Sequence, residues 1–504
     1  MSKIRPATVR PIGVYILSGL AACDRRLLAI DTIRGYLVEI NVETNNTTIL
    51  NSHSVADWIG ATGLAVWQNT VWFTRGASVF KCDLNDLSSL TPFTKLPYRA
   101  DGVAVWESSL YVTCQKSGYI HVYDINSKEC THKIYQPGVG VENVTVTEDA
   151  LWVCDREEQT VFCLDKATGQ PTFSALTPFS SPTGIAFYQP QGDAAPVCYV
   201  SYADEEPYIR DDPNAENPHQ LTFRDRTFIH PLYLHHNLAE HYTRSNGYLT
   251  EISYVEELLP IDDVPQLNNV EWRIALPADT PRQKVRSVEA VGHPFTEEIQ
   301  DGQRVAVFRF DRLSPHQAGL VGWKATVEMY SIKYSFSPEE VEMTPPLSED
   351  FQQRYLVDDD ELAMDTDIIQ RAAKAAVGTE TNILRKALRI RNYVYDKLSY
   401  GIQPKIDTPD VAIARGTGSC GEYVGVLLAL FRLNGIACRT IGRYKCPPKP
   451  ELRNIPLEPD YNHVWLEFYI PGIGWLPMES NVDDIVDKGP YPTRFFMGLA
   501  WYHT

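Results

Sequence analysis

The first half of the chain carries a repeat of about 40 residues, and this repeat restricts the possible folds more than any other feature. Four segments share one pattern of small and apolar residues: 62–67, 101–106, 142–147 and 183–188. An aromatic-rich stretch follows each of them, at 71–74, 110–113, 151–154 and 198–201. Asp83, Asp124 and Asp165 each end a third apolar stretch and recur at intervals of 41 residues. This order predicts one small antiparallel sheet per repeat.

The length and number of the repeats predict that these sheets are arranged as the blades of a propeller. Residues 18–41 fall in the same register and raise the count to five, and residues 248–253 are expected to close the series after a long insertion. Successive sheets of this repeat length close radially in propellers, which leaves few exposed edges. Residues 1–262 therefore resemble a β-propeller of quinoprotein or NHL-like type with five or six blades. The resemblance implies a ligand or partner protein at this part of the chain.

Composition excludes several classes of protein. The chain has 504 residues and a net charge of −18, so no basic surface for nucleic acid is expected. Ten cysteines are too few and too irregularly spaced for a disulfide framework, which favours reduced, mostly buried thiols and a cytoplasmic protein. Since no Cys-x-x-Cys pair or zinc-type Cys/His spacing occurs, no metal site is predicted, and no cofactor is expected either.

The start of the sequence allows a second localisation. Basic residues precede a short apolar run, and Leu-Ala-Ala-Cys at 20–23 is similar to a bacterial lipoprotein cleavage box, which would make Cys23 a lipid anchor. The repeat explains the same residues as an ordinary strand. No apolar run is long enough to span a bilayer, so no stable membrane insertion is expected.

Residues 204–246 insert five histidines: His219, His230, His235, His236 and His241. They lack a usual metal-ligand spacing, which favours a capping loop over a metal site. Residues 260–265 are rich in proline and acid and are predicted to be a linker. Alternating apolar residues at 270–276, 303–310 and 326–335 then predict a small antiparallel sheet or β-sandwich over residues 263–348.

From Tyr355 the pattern changes to helices, and one of them carries a cysteine at its start. Residues 368–377 and 380–398 have helical periodicity. Gly-Thr-Gly-Ser-Cys-Gly at 416–421 precedes an almost wholly apolar helix at 421–434, which is therefore buried. Cys420 is either a structural thiol or a nucleophile whose thiolate is favoured by the helix N-terminus, and Gly418 and Gly421 would let a substrate approach it.

A hairpin follows with a histidine and a glutamate. Asn-His-Val-Trp-Leu-Glu-Phe-Tyr-Ile at 462–470 predicts a strand with Leu466 and Phe468 facing the core. The turn at 471–474 brings Glu479 back beside it. An odd loop sets Glu479 opposite Trp465 and diagonal to His463, whereas a four-residue loop sets it on the wrong face. We expect the odd register.

Three motifs together resemble the transglutaminase-like cysteine enzyme family, which is related to papain-type proteases. They are Gly-Ser-Cys-Gly-Glu at 418–422, Asn-His-Val-Trp-Leu-Glu-Phe at 462–468 and Gly-Trp-Leu-Pro-Met-Glu at 474–479. The resemblance implies an α+β papain-like core within residues 349–504, with Cys420 as nucleophile and His463 as general base. Glu479 stands where the family usually has aspartate, and Asp483 and Asp484 are weaker candidates for that third role.

The implied activity is acyl transfer through a thioester. A peptidase or amidase that hydrolyses an amide or isopeptide bond of a peptide or protein is the first expectation, and an amine-accepting transglutaminase uses the same residues. A non-catalytic protein that binds partners through the propeller is the third reading. Cys438 and Cys446 are predicted to be structural or incidental, and Trp465 and Trp475 to pack or to line a groove.

Overall fold

The computed structural model describes residues 8–189, 195–209, 221–260, 266–300, 302–314, 316–359, 361–442, 444–452, 455, 457 and 461–504. At 205–209, 221–225, 444, 461 and 462 only the backbone is described. The predicted linker at 260–265 and His219 lie wholly or mainly outside these residues. The fold is mostly β, and the α-helices of the described residues lie between residues 349 and 433.

Five consecutive antiparallel sheets make up the first half of the chain, as the repeat predicts. The first two contain β1 (Leu17–Cys23), β2 (Arg26–Asp31), β3 (Tyr36–Ile40), β4 (Thr47–Ile49), β5 (Ala61–Trp67), β6 (Thr70–Arg75), β7 (Ser78–Asp83) and β8 (Asp86–Lys95). The next two contain β9 (Val103–Trp106), β10 (Ser109–Cys114), β11 (Tyr119–Asp124), β12 (Cys130–Tyr135), β13 (Val141–Val146), β14 (Ala150–Asp155), β15 (Thr160–Asp165) and β16 (Pro171–Leu176). The fifth contains β17 (Pro182–Tyr188), β18 (Val197–Ile209) and β19 (Leu221–Leu232).

The first strands of these sheets contact one another in sequence, β1 with β5, β5 with β9, β9 with β13, β13 with β17 and β17 with β1. The arrangement is therefore propeller-like. The repeated glycine permits the close approach, because a Cβ at Gly63 would lie 2.6 Å from the Cα of Gly102.

Two other repeated residue types have a structural reason. The Thr74 hydroxyl accepts from the Gly63 N–H at 2.6 Å and donates to the Asp101 carbonyl at 3.2 Å, which connects neighbouring sheets. Asp124 closes a turn by accepting from two N–H groups that follow it, and its equivalent Asp165 does the same. The 41-residue interval thus marks equivalent turns.

Two further sheets form the middle of the molecule. Their strands are β20 (Leu234–Asn237), β21 (Tyr242–Leu258), β22 (Leu267–Ala275), β23 (Gln283–Gly292), β24 (Thr296–Gln300), β25 (Gln303–Leu313) and β26 (Gly319–Tyr334). One sheet has the order β20-β21-β26-β23 and the other β22-β25-β24. The strands predicted at 270–276, 303–310 and 326–335 are confirmed by β22, β25 and β26.

The expectation that residues 248–253 close the propeller repeat is wrong. They lie in β21, which pairs with β26 over Tyr242 to Leu258 and so belongs to the middle sheets. This long alternating strand pairs with β26, and not with a strand of the five propeller-like sheets. The three domain ranges remain predictions, and this pairing favours a first boundary before Tyr242.

Helices pack on a small sheet in the last part of the chain. The helices are α1 (Glu349–Tyr355), α2 (Asp367–Val377), α3 (Ile383–Lys397), α4 (Pro409–Arg415) and α5 (Cys420–Leu433). The strands are β27 (Ser399–Tyr400), β28 (Thr417–Gly418), β29 (Cys438–Ile441), β30 (Tyr444–Lys445), β31 (Tyr461–Asn462), β32 (Trp465–Ile470), β33 (Gly474–Met478) and β34 (Gly498–Leu499). The sheet β29-β32-β33 and helices α2, α3 and α5 share one core.

Residues 495–504 connect this core to the rest of the molecule. The Trp501 indole N–H donates to the Pro178 carbonyl at 2.8 Å, and the Tyr502 hydroxyl lies 3.1 Å from Gln159 Oε1. The Cys446 N–H donates to the Tyr502 carbonyl at 2.9 Å. These contacts join the fourth of the five propeller-like sheets to the segment that follows β30. Within the described ranges, no helix is long and apolar enough to cross a membrane.

Candidate active site

Cys420 is the first residue of α5, and the start of this helix is held by a capping box. The Glu422 carboxylate accepts from the Ser419 N–H at 2.8 Å and from the Ser419 hydroxyl at 2.5 Å, and Ser419 caps the helix in return. Glu422 is buried and pairs with Arg415 at 3.2 Å. The backbone that carries the Cys420 thiol is therefore fixed.

The Cys420 thiol is half-buried and acidified. Burial raises the pKa of the thiol. The His463 ring lowers the pKa through a hydrogen bond and through the positive charge of the ring, and the Val464 N–H lowers it further, so the pKa lies below its ordinary value. The first-turn N–H groups of a helix lack carbonyl partners within it and add positive potential. The site therefore favours a thiolate.

The hairpin has the odd register. Leu466 pairs with Met478 and Ile470 pairs with Gly474, so the loop contains three residues and Glu479 follows β33 opposite Trp465. Leu466 is buried in the core, as predicted. This register brings Glu479 Oε1 to 2.5 Å from His463 Nε2.

The His463–Glu479 pair is almost completely shielded from water, since each residue is 1% exposed. Burial lowers the pKa of His463, but the charge of Glu479 and the bond to Cys420 outweigh burial and raise it to about 9. Burial likewise opposes the Glu479 charge, yet His463 holds the pKa of this carboxyl well below its ordinary value. Because Nε2 faces Glu479, the Nδ1 side of the ring is left for Cys420. This geometry suits a thiolate–imidazolium pair.

Asp483 and Asp484 have other partners. Asp483 Oδ1 lies 2.7 Å from Arg494 Nε, and Asp484 Oδ2 accepts from the Tyr423 hydroxyl at 2.6 Å. Neither carboxylate is in contact with His463 among the hydrogen bonds of the described residues. Glu479 is therefore the acid that the structure brings to the histidine.

Gly418 and Gly421 make room for neighbours within the chain. A Cβ at Gly418 would lie 2.7 Å from Glu422 Cβ, and a Cβ at Gly421 would lie 2.8 Å from Ile406 Cδ1. Gly418 thus permits the capping box to close. The expected space for a substrate beside Gly421 is bounded by Ile406, whose side chain is 71% exposed.

A second buried histidine adjoins the pair and was missed from the sequence. His503 Nε2 lies 3.5 Å from Glu479 Oε2, and its ring packs against Trp465 with centroids 5.2 Å apart. It follows Glu479 by 24 positions and lies in no recognisable motif, so no sequence signal could have found it. Burial lowers the pKa of His503 to about 3, and the ring is neutral.

The other predicted residues have structural positions. Trp465 is buried, whereas Trp475 packs against Phe351 and Tyr355. The Cys438 thiol is buried against the Leu428 carbonyl. All ten cysteines are free, six of them buried. Cys23 ends β1, which agrees with the reading of residues 20–23 as a strand, and lipidation there remains a prediction.

Three described histidines of the insertion have other side chains as partners. His230 bonds Thr8, His236 stacks on Phe173, and His241 stacks on Phe336. No cluster of three or more His, Cys, Asp or Glu in the part of the chain that the structure describes could hold a metal ion.

A family model matches the part of the chain that contains the candidate site. The model of the transglutaminase-like superfamily matches residues 370–480, a range that contains Cys420, His463 and Glu479. Residues 370–480 form a transglutaminase-like domain. The match supports a cysteine-dependent enzyme in general terms and leaves the reaction open. No curated protein matches the sequence.

Two solved structures with a distant resemblance to the chain are a protease and a cyclase. "Putative Cysteine Protease from Cytophaga hutchinsonii" is 18% identical with a TM-score of 0.36, and the alignment covers 48% of this chain and 79% of that one. Myxococcus xanthus glutaminyl cyclase is 12% identical with a TM-score of 0.32, over 45% of this chain and 95% of that one. Likenesses this distant add nothing to the assignment of the transglutaminase-like domain.

Proposed function

We propose that the chain is a cysteine-dependent hydrolase of amide bonds, a peptidase or amidase that acts on a peptide or protein through a thioester. The observation that carries the proposal is the buried His463–Glu479 pair beside an acidified Cys420 at the start of α5. Cys420, His463 and Glu479 then supply the nucleophile, the base and the acid that orients the base, which are the three roles that covalent catalysis by cysteine uses.

In the first half of the reaction, the Cys420 Sγ attacks the amide carbonyl carbon and forms a C–S bond. The imidazolium of His463 gives its proton to the amide nitrogen as the C–N bond breaks, and the amine leaves. Glu479 accepts the hydrogen bond of the ring and stabilises its charge until that transfer. The backbone N–H of Cys420, at the helix start, is the proposed donor to the oxyanion.

In the second half, water attacks the thioester. Neutral His463 takes a proton from the water, the C–S bond breaks, and the products are a carboxylic acid and the Cys420 thiolate. A primary amine in place of water would give a new amide, which is the transglutaminase reaction. The propeller-like ring as a binding surface for a partner or ligand also remains a prediction.

The test is turnover of a peptide library with and without a labelled primary amine, read by mass spectrometry. We expect hydrolysis by the wild type, none by Cys420→Ala and unchanged hydrolysis by Cys130→Ala, because Cys130 is exposed and remote in the repeat. Incorporation of the amine would favour the transferase. Turnover that survives in Cys420→Ala would overturn the proposal, and inactivity of both proteins would favour a binding role.

A further inference from the structure

The Glu479 carboxylate has two oxygens, and the described structure places a different histidine beside each. Oε1 lies 2.5 Å from His463 Nε2, and Oε2 lies 3.5 Å from His503 Nε2. Oε2 and His503 Nε2 are both buried, and neither has a closer hydrogen-bond partner within the described ranges. A buried carboxylate oxygen without a donor is unfavourable, so a donor at the position of His503 Nε2 would stabilise it.

The surroundings of His503 decide which ring nitrogen carries the proton. Nδ1 lies 3.3 Å from the Ala500 carbonyl, and Nε2 faces the carboxylate, so both neighbours are acceptors. A neutral imidazole can donate to only one of them. The Ala500 carbonyl already accepts from Arg282 Nη2 at 2.9 Å. The ionised carboxylate is the stronger acceptor, which favours the proton on Nε2.

We propose that His503 is a positioning residue that donates from Nε2 to Glu479 Oε2 and so holds the carboxylate in line with His463. This inference rests on the proposed function of Cys420, His463 and Glu479. A glutamate has one more rotatable bond than the aspartate usual in this family. A donor at its second oxygen removes the additional freedom.

The position of His503 is itself fixed from the rest of the molecule. Arg282 Nη2 donates to the His503 carbonyl at 2.7 Å, and Lys445 pairs with His503 in an antiparallel bridge. Tyr502 stacks on the His503 imidazole, and the Tyr502 hydroxyl lies 3.1 Å from Gln159 Oε1, directly before β15. The charged groups around His503 are Arg282, Lys445, Glu479 and the His463 imidazolium, whose ring centroid lies 6.4 Å from that of His503. The orientation of the acid therefore depends on contacts outside the transglutaminase-like domain.

A matched pair of variants isolates the donor. His503→Gln keeps an N–H donor at about the position of Nε2, whereas His503→Met has a similar length and no donor. Both lose ring stacking to the same extent. The probe is iodoacetamide, and the rate of alkylation of the Cys420 peptide is measured against pH in the full chain, with the exposed Cys130 as an internal reference.

We expect His503→Gln to stay within about twofold of the wild type and His503→Met to lower the Cys420 alkylation rate at neutral pH about tenfold, the change in thiolate fraction that a rise of about one pKa unit gives. The apparent pKa of the thiol should rise in His503→Met alone. Equal profiles for the two variants would overturn the inference while leaving the proposed function intact. An ordinary thiol pKa in the wild type would overturn both.

Discussion

Replacing Glu479 by glutamine removes the charge that holds His463 as an imidazolium and keeps the size of the side chain. The pKa of His463 is about 9 against an ordinary value of 6.5. With each pKa unit worth about 1.4 kcal/mol, the imidazolium is stabilised by about 3 kcal/mol, a value that Glu479 and Cys420 share. Loss of about 2 kcal/mol of imidazolium stabilisation in Glu479→Gln would by itself raise the pKa of the Cys420 thiol by about 1.5 units, and loss of the direct repulsion between Glu479 and the thiolate offsets part of that rise.

The measurement is the alkylation rate of Cys420 by iodoacetamide between pH 5 and pH 10, resolved by peptide mapping. We expect the midpoint for the wild type to lie below the ordinary thiol value and the midpoint for Glu479→Gln to lie at or above it. Turnover should fall by about 10³-fold or more, since the ring loses the charge that orients it.

Asp484→Asn is the matched control. It removes the same charge from the same segment, but the Asp484 carboxylate is bound to the Tyr423 hydroxyl and not to His463. We expect its alkylation profile to follow that of the wild type. If Glu479→Gln also followed the wild type, the carboxylate would have no part in activating Cys420, and the reasoning from the 2.5 Å contact would be refuted.

Two other predictions concern stability. The folded-state pKa of His463 lies above its unfolded value, so its contribution is fully present below about pH 6.5 and is lost as the pH rises through about 9. The difference in unfolding free energy between the wild type and His463→Gln should fall by about 3 kcal/mol over that range, and a pH-independent difference in urea titrations would contradict this. Gly418→Ala should destabilise the protein by about 1–3 kcal/mol, since the new Cβ meets Glu422 Cβ. Gly421→Ala should cost less than about 1 kcal/mol, because the nearest atoms to its Cβ belong to the side chain of Ile406, which is exposed and can move. Equal losses in the two alanine variants would show that the capping box is not what limits substitution.

Much of the fold follows from local pattern. In each repeat the glycine lets the first strands approach each other, the threonine connects neighbouring sheets, and the aspartate closes a turn. Because these roles recur with the residues, the repeat predicts five sheets without any long-range information. The alternation in residues 464–470 likewise determines which side chains enter the core. The motifs around Cys420 and His463 are short and contiguous, and for that reason they indicate the family from sequence alone.

Other features depend on where distant segments meet, which local pattern does not encode. The strand containing residues 248–253 alternates like a blade strand, but its pairing with β26 decides that it belongs to the middle sheets. The hairpin register, for which the sequence allowed a loop of odd or even length, is what brings Glu479 to His463. His503 reaches the carboxylate because Arg282, Gln159 and Pro178 hold residues 495–504 in place. Residue types and periodicity determine the helices, the strands and the reactive side chains. The contact between Glu479 and His503 arises instead from packing between parts of the chain that are far apart in sequence.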